Sequence, residues 1–464
     1  MHSAKLTMTK SLPLLFVACG LQLVANAQEN SPYSRYGIGD IIPNHNIISR
    51  GMGGIAAGVG TDYLNINGIY YPSRNQPINF VNPASLGSLA NTIFEIGAEA
   101  DVRTLKSTNP AKKFTSANSL FSYLQLAIPI TPKKLQKYKV NWGMSLGLRP
   151  VSRIDYKIET NKRLTGIDSV NTLYEGSGGV NQAFIGSGMQ IDLSEDPKYI
   201  KKFSAGLNIG YMFGSKNYST KLTFINDTTD YYRSNSSNQT HFGGLFLSGG
   251  MQYETSFRSG VLRLGIYGNL QQEINAKQDI VRETFSYDAA GNAYRVDSVY
   301  DQKDVQGTIN FPSTIGIGFT YQGKHWLYGM DYETSDWNNY KFYGVSDQLQ
   351  NNWMVRAGAQ YFPAKENTSA KKYFSFVTYR AGVYYGPDYV KLNSNRPEYG
   401  FTFGTSMPLT TQQYLFRTGE YVTLNTAVEI GGRGDKNTNL RENTMRFSVG
   451  ISMNARWFQK RKYD

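Results

Sequence analysis

The feature that most constrains this chain is the period of its apolar residues, which is two. From Phe203 to Gly214 the odd positions Phe203, Ala205, Leu207, Ile209, Tyr211 and Phe213 are apolar or aromatic, and the even ones are mostly Ser, Gly or Asn. A helix cannot gather such a pattern onto one face, whereas a strand does so automatically. Val140, Trp142, Met144, Leu146 and Leu148 repeat it, as do Met445, Phe447, Val449, Ile451, Met453, Ala455 and Trp457 near the C-terminus. Soluble sandwich strands average about five or six residues, and a tilted strand that crosses a membrane needs about 9–11. The long C-terminal run therefore favours a membrane strand; a soluble sandwich with long strands is the alternative.

Segments of this kind lie near 91–106, 116–130, 138–152, 177–192, 203–216, 241–257, 259–273, 309–322, 325–335, 351–363, 371–385, 397–407, 420–431 and 443–458. Their number is even, as in single-chain bacterial barrels. The connections alternate in length. They are long at 153–176, 217–240 and 274–308 and short at Arg258, Gly323-Lys324 and Ser194 to Lys202, with 408–419 an exception in the short set. The long ones are expected on the outer side as solvated loops, carrying Ser234-Asn235-Ser236-Ser237-Asn238 and Asp288-Ala289-Ala290-Gly291-Asn292. The predicted fold class is thus all-β, a transmembrane antiparallel β-barrel of about fourteen strands. Composition agrees, since 14% aromatic and only 18% charged residues in a chain of 464 exclude a disordered polymer. The one sustained apolar stretch begins at Leu12 and is shorter than the roughly 20 residues a spanning helix needs.

That stretch has another reading. Lys5 and Lys10 precede Leu12-Pro13-Leu14-Leu15-Phe16-Val17-Ala18, and Ala25-Asn26-Ala27 places small residues where a signal peptidase acts. Residues 1–27 are expected to be an export signal cleaved before Gln28. The alternative is a lipid-attachment box at Phe16-Val17-Ala18-Cys19, which would make Cys19 the acylated first residue. Cys19 is the one cysteine of the chain, so cleavage after Ala27 leaves neither disulfide nor thiolate metal site. Export places the barrel in the Gram-negative outer membrane, with its lipid as first partner. The net charge of +13 is spread among turns and strand ends, which argues against nucleic acid.

The remaining divisions are 28–90 as an N-terminal hatch segment, 91–458 as the barrel and 459–464 as a short periplasmic tail. Between Gln28 and Leu89, Gly37, Gly39, Gly51, Gly53, Gly54, Gly58 and Gly60 accompany scattered Ile and Tyr without alternation. An irregular stretch of that length is expected to fold inside or under the barrel as a plug. The inward positions Gly143, Gly147, Gly206, Gly210, Gly316, Gly318 and Gly450 lack side chains that would fill a lumen, leaving volume for a plug or a ligand.

With this arrangement in place, short strings gain meaning. Asn82-Pro83-Ala84-Ser85-Leu86 resembles the Asn-Pro-Ala hatch motif of the FadL/TodX family, outer-membrane channels for long-chain fatty acids and other hydrophobic compounds. Glu175 to Gln182 is similar to a Gly-Gly-Asn element of that family, and Phe311 to Gly318 to its Pro-containing strand start. Trp326 to Asp331, with Trp337 and Tyr340, resembles the next family strand and its aromatic exit. Ser31 to Asp40 is similar to mature N-termini of Bacteroidetes-type members. The resemblance implies a hatch anchored at Asn82, Pro83 and Ala84, and ligand passage sideways into the bilayer through a defect in the third strand. Gly143, Gly147 and Pro150 would mark that opening, because Pro cannot donate to a ladder; the alternative is that Pro150 ends the strand at the rim. The sequence departs from a fatty-acid channel in its lumen-facing residues, which are Gly, Ser, Asn and Arg more than Phe and Leu.

Catalytic signatures are missing. The chain has no His-x-x-x-His pair, no Gly-x-Ser-x-Gly elbow and no phosphate-binding loop, and His45, His241 and His325 lie far apart. Asp192, Glu195 and Asp196 read as a cation site or, alternatively, as solvated turn charge, and Arg433-Gly434-Asp435 as an outer-loop tripeptide. No enzyme, cofactor or metal is expected. Two functions remain. The leading one is an uptake channel for hydrophobic small molecules such as long-chain fatty acids or aromatic hydrocarbons, the commoner use of the family. The other is a non-transporting adaptor or scaffold barrel in an outer-membrane secretion or barrel-assembly complex, which suits a polar lumen and long outer loops.

Overall fold

The computed structural model describes residues 31–455 apart from 67–68, 74, 109, 197, 226–228, 230, 365–371, 393–395, 412–417 and 435–439. The expected export signal with Cys19, residue Gln28, Trp457 and the tail 459–464 lie outside the described residues, as do 412–417 of the connection 408–419.

Three short strands come first: β1 (Asp40–Ile41), β2 (Tyr63–Ile66) and β3 (Ile69–Pro72). Then follow β4 (Thr92–Thr108), β5 (Ala111–Pro129), β6 (Val140–Arg163), β7 (Ser169–Asp192), β8 (Lys201–Phe224), β9 (Arg233–Phe257) and β10 (Gly260–Asn269). The hairpin β11 (Gln272–Tyr287) and β12 (Ala293–Phe311) precedes β13 (Thr314–Gln322) and β14 (Trp326–Ser335). The two-residue strands β15 (Lys341–Phe342) and β16 (Val345–Ser346) lead to β17 (Asn352–Tyr361), β18 (Thr378–Pro387), β19 (Pro397–Pro408), β20 (Tyr421–Arg433) and β21 (Leu440–Ala455). Strand β21 pairs with β4 from Leu440↔Ser107 to Ala455↔Thr92. This closes an antiparallel barrel of 14 strands, β4–β10, β13, β14 and β17–β21, each overlapping one of the predicted segments.

The alternation read from sequence is the alternation of faces. In β8, Leu207 and Ile209 are 48% and 52% exposed, and Asn208 between them is 4% exposed. Large apolar residues bared on the outside and polar residues enclosed on the inside invert the soluble pattern, as a closed barrel in lipid requires. Among the described residues no helix is long and apolar enough to cross a membrane.

One expectation needs correction. The stretches 153–176, 217–240 and 274–308 are not solvated loops. Strands β6 and β7 run on past the apolar band to a short turn at 164–168, and β8 and β9 stay paired up to Leu222↔Ser234. Residues 274–308 belong almost wholly to β11 and β12, whose turn is Asp288 to Asn292, with Gly291 at φ 82° and the Asp288 carboxylate accepting from the amides of Ala290 and Asn292. Their sequence shows no period because water meets both faces of a strand that stands clear of the barrel, so the ladder alone holds it. The result is a tall rim at one end and a short-turn rim at the other.

Candidate functional site

The lumen is where the polar residues of the wall converge, and residues 31–90 lie against them. The first described residues lie at the tall rim. The amide of Gly37 donates to Asp347, while its carbonyl accepts from the Lys216 ammonium at 2.9 Å and the Tyr340 hydroxyl at 3.0 Å. Tyr33 and Ile38 pack there with Trp337, Tyr340, Leu349 and Tyr389. Strand β1 pairs with β6 (Asp40↔Arg153, Ile41↔Ser152).

Deeper in, charge takes over. Asp40 pairs with Arg103 of β4 and, at 2.8 Å, with Arg433 of β20. Arg396, 0% exposed, pairs with Asp388 and Glu442, and Glu442 accepts from the Ser31 hydroxyl. Arg50, at the end of a four-residue helix capped by the Asn46 side chain, pairs with Glu99 of β4. Below it the Asp331 carboxylate accepts from the successive amides of Ala56 and Ala57 at 2.6 and 2.8 Å. Arg263 donates to the carbonyls of Gly58 and Thr61 and pairs with Glu254. The hairpin β2–β3 then reaches the short-turn rim, where Tyr70 donates to the carbonyl of Phe257.

Glycine makes this seating possible. A Cβ on Gly265 would collide with the carbonyl of Ala57, one on Gly382 with Met52 and Gly53, and one on Gly143 with the carbonyl of Leu86. The volume that inward glycines leave open is thus partly taken by the main chain of the N-terminal segment. Elsewhere it is taken by wall side chains: Gly147 accommodates Phe184, Gly316 accommodates Tyr267 and Gly318 accommodates Asp331.

Asn82 is fully buried, and its amide nitrogen donates to the carbonyl of Ala57 at 2.8 Å and, more weakly, to Met251 of β9 and Ile266 of β10 at 3.4 Å. Its carbonyl oxygen accepts from the amide of Ala84, capping the 3₁₀ turn Pro83–Ser88. Pro83 and Ala84 lie in that turn against Gly188 and Gly206.

The wall has one irregularity near Pro150. Pairing of β5 with β6 stops at Leu124↔Leu148, and the β6–β7 register shifts between Pro150 and Ser152. Beyond it the β5-side edge of β6 is occupied by β1. A cavity of about 670 Å³ remains, lined by Leu120, Phe121, Leu148, Arg149, Pro150 and Phe242 among others. Gly143 lies within the regularly paired part of β6 and Gly147 at its end, so only Pro150 stands at the irregularity itself.

The sequence profile of the BamG family matches residues 8–464. The chain belongs to the BamG family. No curated protein matches it in sequence. Solved structures similar to this BamG-family chain include a Pseudomonas aeruginosa FadL homologue, with 11% identity, 90% of this chain and 99% of that one covered, and a TM-score of 0.52. The Ralstonia pickettii toluene transporter TbuX is 12% identical over 89% of this chain and 99% of its own, with a TM-score of 0.50. The Pseudomonas putida toluene transporter TodX is 12% identical over 90% and 100%, again with a TM-score of 0.50. The BamG-family chain therefore has the FadL-type fold suggested by its short motifs.

Other sequence candidates separate. Asp192 and Asp196 accept from the amides of Ser194 and Lys198 within their turn, and among the described residues no group of His, Cys, Asp and Glu is arranged to hold a metal ion. Arg433 ends β20 with its side chain on Asp40, so it is not displayed on a loop, and Asp435 lies outside the described residues. Sequence reasoning missed the lumen ion pairs. Their one local signal was charge at the inward parity of strands, as at Glu99, Asp101 and Arg103 of β4.

Proposed function

We propose that this BamG-family barrel resides in the outer membrane as a plugged, non-transporting partner in a secretion or barrel-assembly complex. The observation that carries this reading is the lumen. The N-terminal segment runs from rim to rim and meets the wall in buried ion pairs and close main-chain contacts, at Asp40, Arg50, Ala56-Ala57 and Gly58. Moving it would strand charges in a low dielectric, at about 3–5 kcal/mol for each broken buried pair. The remaining central cavity, about 270 Å³, sets Arg50, Arg103, Arg356, Glu333 and Glu429 among apolar residues such as Phe184, Phe246 and Met354, so a hydrocarbon crossing it would have to pass charged groups. Asn82, Pro83 and Ala84 act as the inner anchor of this hatch. Single-chain barrels carry their longer connections outside the cell, which puts the tall rim of β6–β9, β11 and β12 on the surface as a wall for protein contact. The family bears a name separate from the hydrocarbon channels that share its fold, which supports the same reading.

The irregular wall at Pro150 favours a second reading. A lateral opening there, with Gly143 and Gly147 below it, would serve an uptake channel for fatty acids or aromatic hydrocarbons. Mild solubilisation of native membranes and affinity isolation of the barrel separate the two. Near-stoichiometric outer-membrane proteins are expected with it, together with unchanged toluene and oleate entry into liposomes carrying the barrel. A solitary barrel that accelerates entry would replace the first reading by the second.

A further inference from the structure

One arginine of the central cavity stands apart from the others. Of its lining arginines, Arg50 pairs with Glu99, Arg103 with Asp40 and Asp101, Arg356 with Glu333, Arg433 with Asp40 and Glu398, and Arg446 with Glu429. Among the described residues Arg149 pairs with no carboxylate. Its guanidinium donates to the amide oxygen of Gln182 at 2.7 and 3.1 Å and to that of Asn44, and it lies 5.1 Å from the centre of the Phe80 ring. A buried cation with neutral partners alone is costly unless an anion joins it.

Two more nitrogens lack partners in the same cavity. The ring of His45 is 5% exposed with Nε2 unbonded, and Nη1 of Arg356 is unbonded while Nη2 serves Glu333. Three groups from three parts of the fold, the N-terminal segment, β6 and β17, thus border one space in which Arg149 is the cation without a described carboxylate partner.

We propose that this cavity binds a phosphate-class oxyanion through Arg149, His45 Nε2 and Arg356 Nη1. Planar guanidinium groups suit an acceptor with several oxygens, and donors on separate elements suit a tetrahedral group better than a planar carboxylate. Arg149 and Ile42 also line the cavity beside Pro150, so either free phosphate or the headgroup of a membrane lipid satisfies the chemistry. The inference is independent of whether the barrel transports or scaffolds.

The test uses the full-length barrel, folded in a non-ionic detergent, titrated by calorimetry at constant ionic strength with inorganic phosphate, dihexanoyl phosphatidic acid, and acetate. Phosphate-class binding is expected, with affinity falling about tenfold or more in Arg149→Gln, the worth of a charge-assisted hydrogen bond. His45→Gln is expected to lower it less. Binding of phosphatidic acid without inorganic phosphate would identify a lipid headgroup as the source, and equal binding would identify the free ion. Heat-modifiable migration on gels verifies insertion of each variant; if Arg149→Gln does not insert, Arg149→Lys is expected to give an intermediate loss. Absence of binding by both phosphates, acetate binding as tightly, or parent-level affinity in the Arg149 variants would overturn the proposal.

Discussion

The barrel wall and the N-terminal segment are built by opposite rules. Along β8, each residue's environment follows from its parity: Leu207 and Ile209 face lipid, Asn208 faces the lumen, and the backbone is satisfied by β7 and β9. Between Asp40 and Thr61 parity means nothing, and the carbonyls and amides of Gly53, Ala56, Ala57 and Gly58 are met by side chains of Thr402, Asp331, Gln252 and Thr320. The wall carries its own hydrogen-bond partners; the segment borrows its partners from the wall. Removing the segment should therefore leave a barrel, whereas the segment alone should have no fold.

The largest effect should come from testing that asymmetry directly. Deleting Gln28 to Gly60 is expected to leave an inserted, heat-modifiable barrel whose planar-bilayer conductance rises well above the parent's, since the ladders persist and the occluding chain is gone. Parent-level conductance in correctly inserted barrels would mean that this segment does not obstruct the lumen, and the contrast drawn above would fail.

Breaking one bond of the interface should loosen the segment and spare the wall. Glu99→Gln removes the partner of Arg50 and is expected to weaken docking by about 3–5 kcal/mol. Hydrogen exchange should speed at Ile47 to Met52 with little change in β8. Uniform acceleration across the wall would show that the two regions unfold together.

Smaller still is the cost on the lipid face. Leu207→Arg near the bilayer midplane should destabilise the barrel by about 2–4 kcal/mol, measured by denaturant unfolding in vesicles. Asn208→Arg should act differently. Asn208 donates to the carbonyl of Phe80 at 2.8 Å and abuts Gly186, so the larger side chain would displace the N-terminal segment while the wall stays near parent stability. Equal wall destabilisation by both substitutions would remove parity as the organising rule.

The same contrast sets what was legible. All fourteen wall segments stood out because lipid outside and polar residues inside give opposite demands at alternate positions. The pairing of Arg50 with Glu99, separated by 49 positions, left no mark in any local window, because a buried ion pair depends on closure of the barrel and not on spacing. Strands β11 and β12 were invisible for a third reason: Ala293 to Asp304 of β12, like Ser234 to Asn238 at the start of β9, has no apolar face to contrast with a polar one. Composition there resembles a loop, and only the pairing of β12 with β11 and of β11 with β9 makes it a sheet.

That third region supports the smallest prediction, a pH effect confined to the tall rim. The Glu283 carboxyl is held below its ordinary range, first by a 2.7 Å hydrogen bond from the Asn235 amide and then by Arg295, whose Nε lies 2.6 Å away. A carboxyl whose value is depressed by folding adds stability that is fully present above its ordinary value, about 4.3, and that is lost as pH falls through the lower folded value. The link joins β9, β11 and β12, but it is close to solvent and screened by salt, so its contribution is modest. Between pH 7 and 5 the hairpin should not change. Below pH 4, hydrogen exchange should accelerate in β11 and β12 while β13 and β14 hold, and Glu283→Gln should abolish the acid response. Acid-induced exchange that begins in the membrane-facing strands would show that the rim draws its stability from the wall beneath it and not from its own cross-strand links.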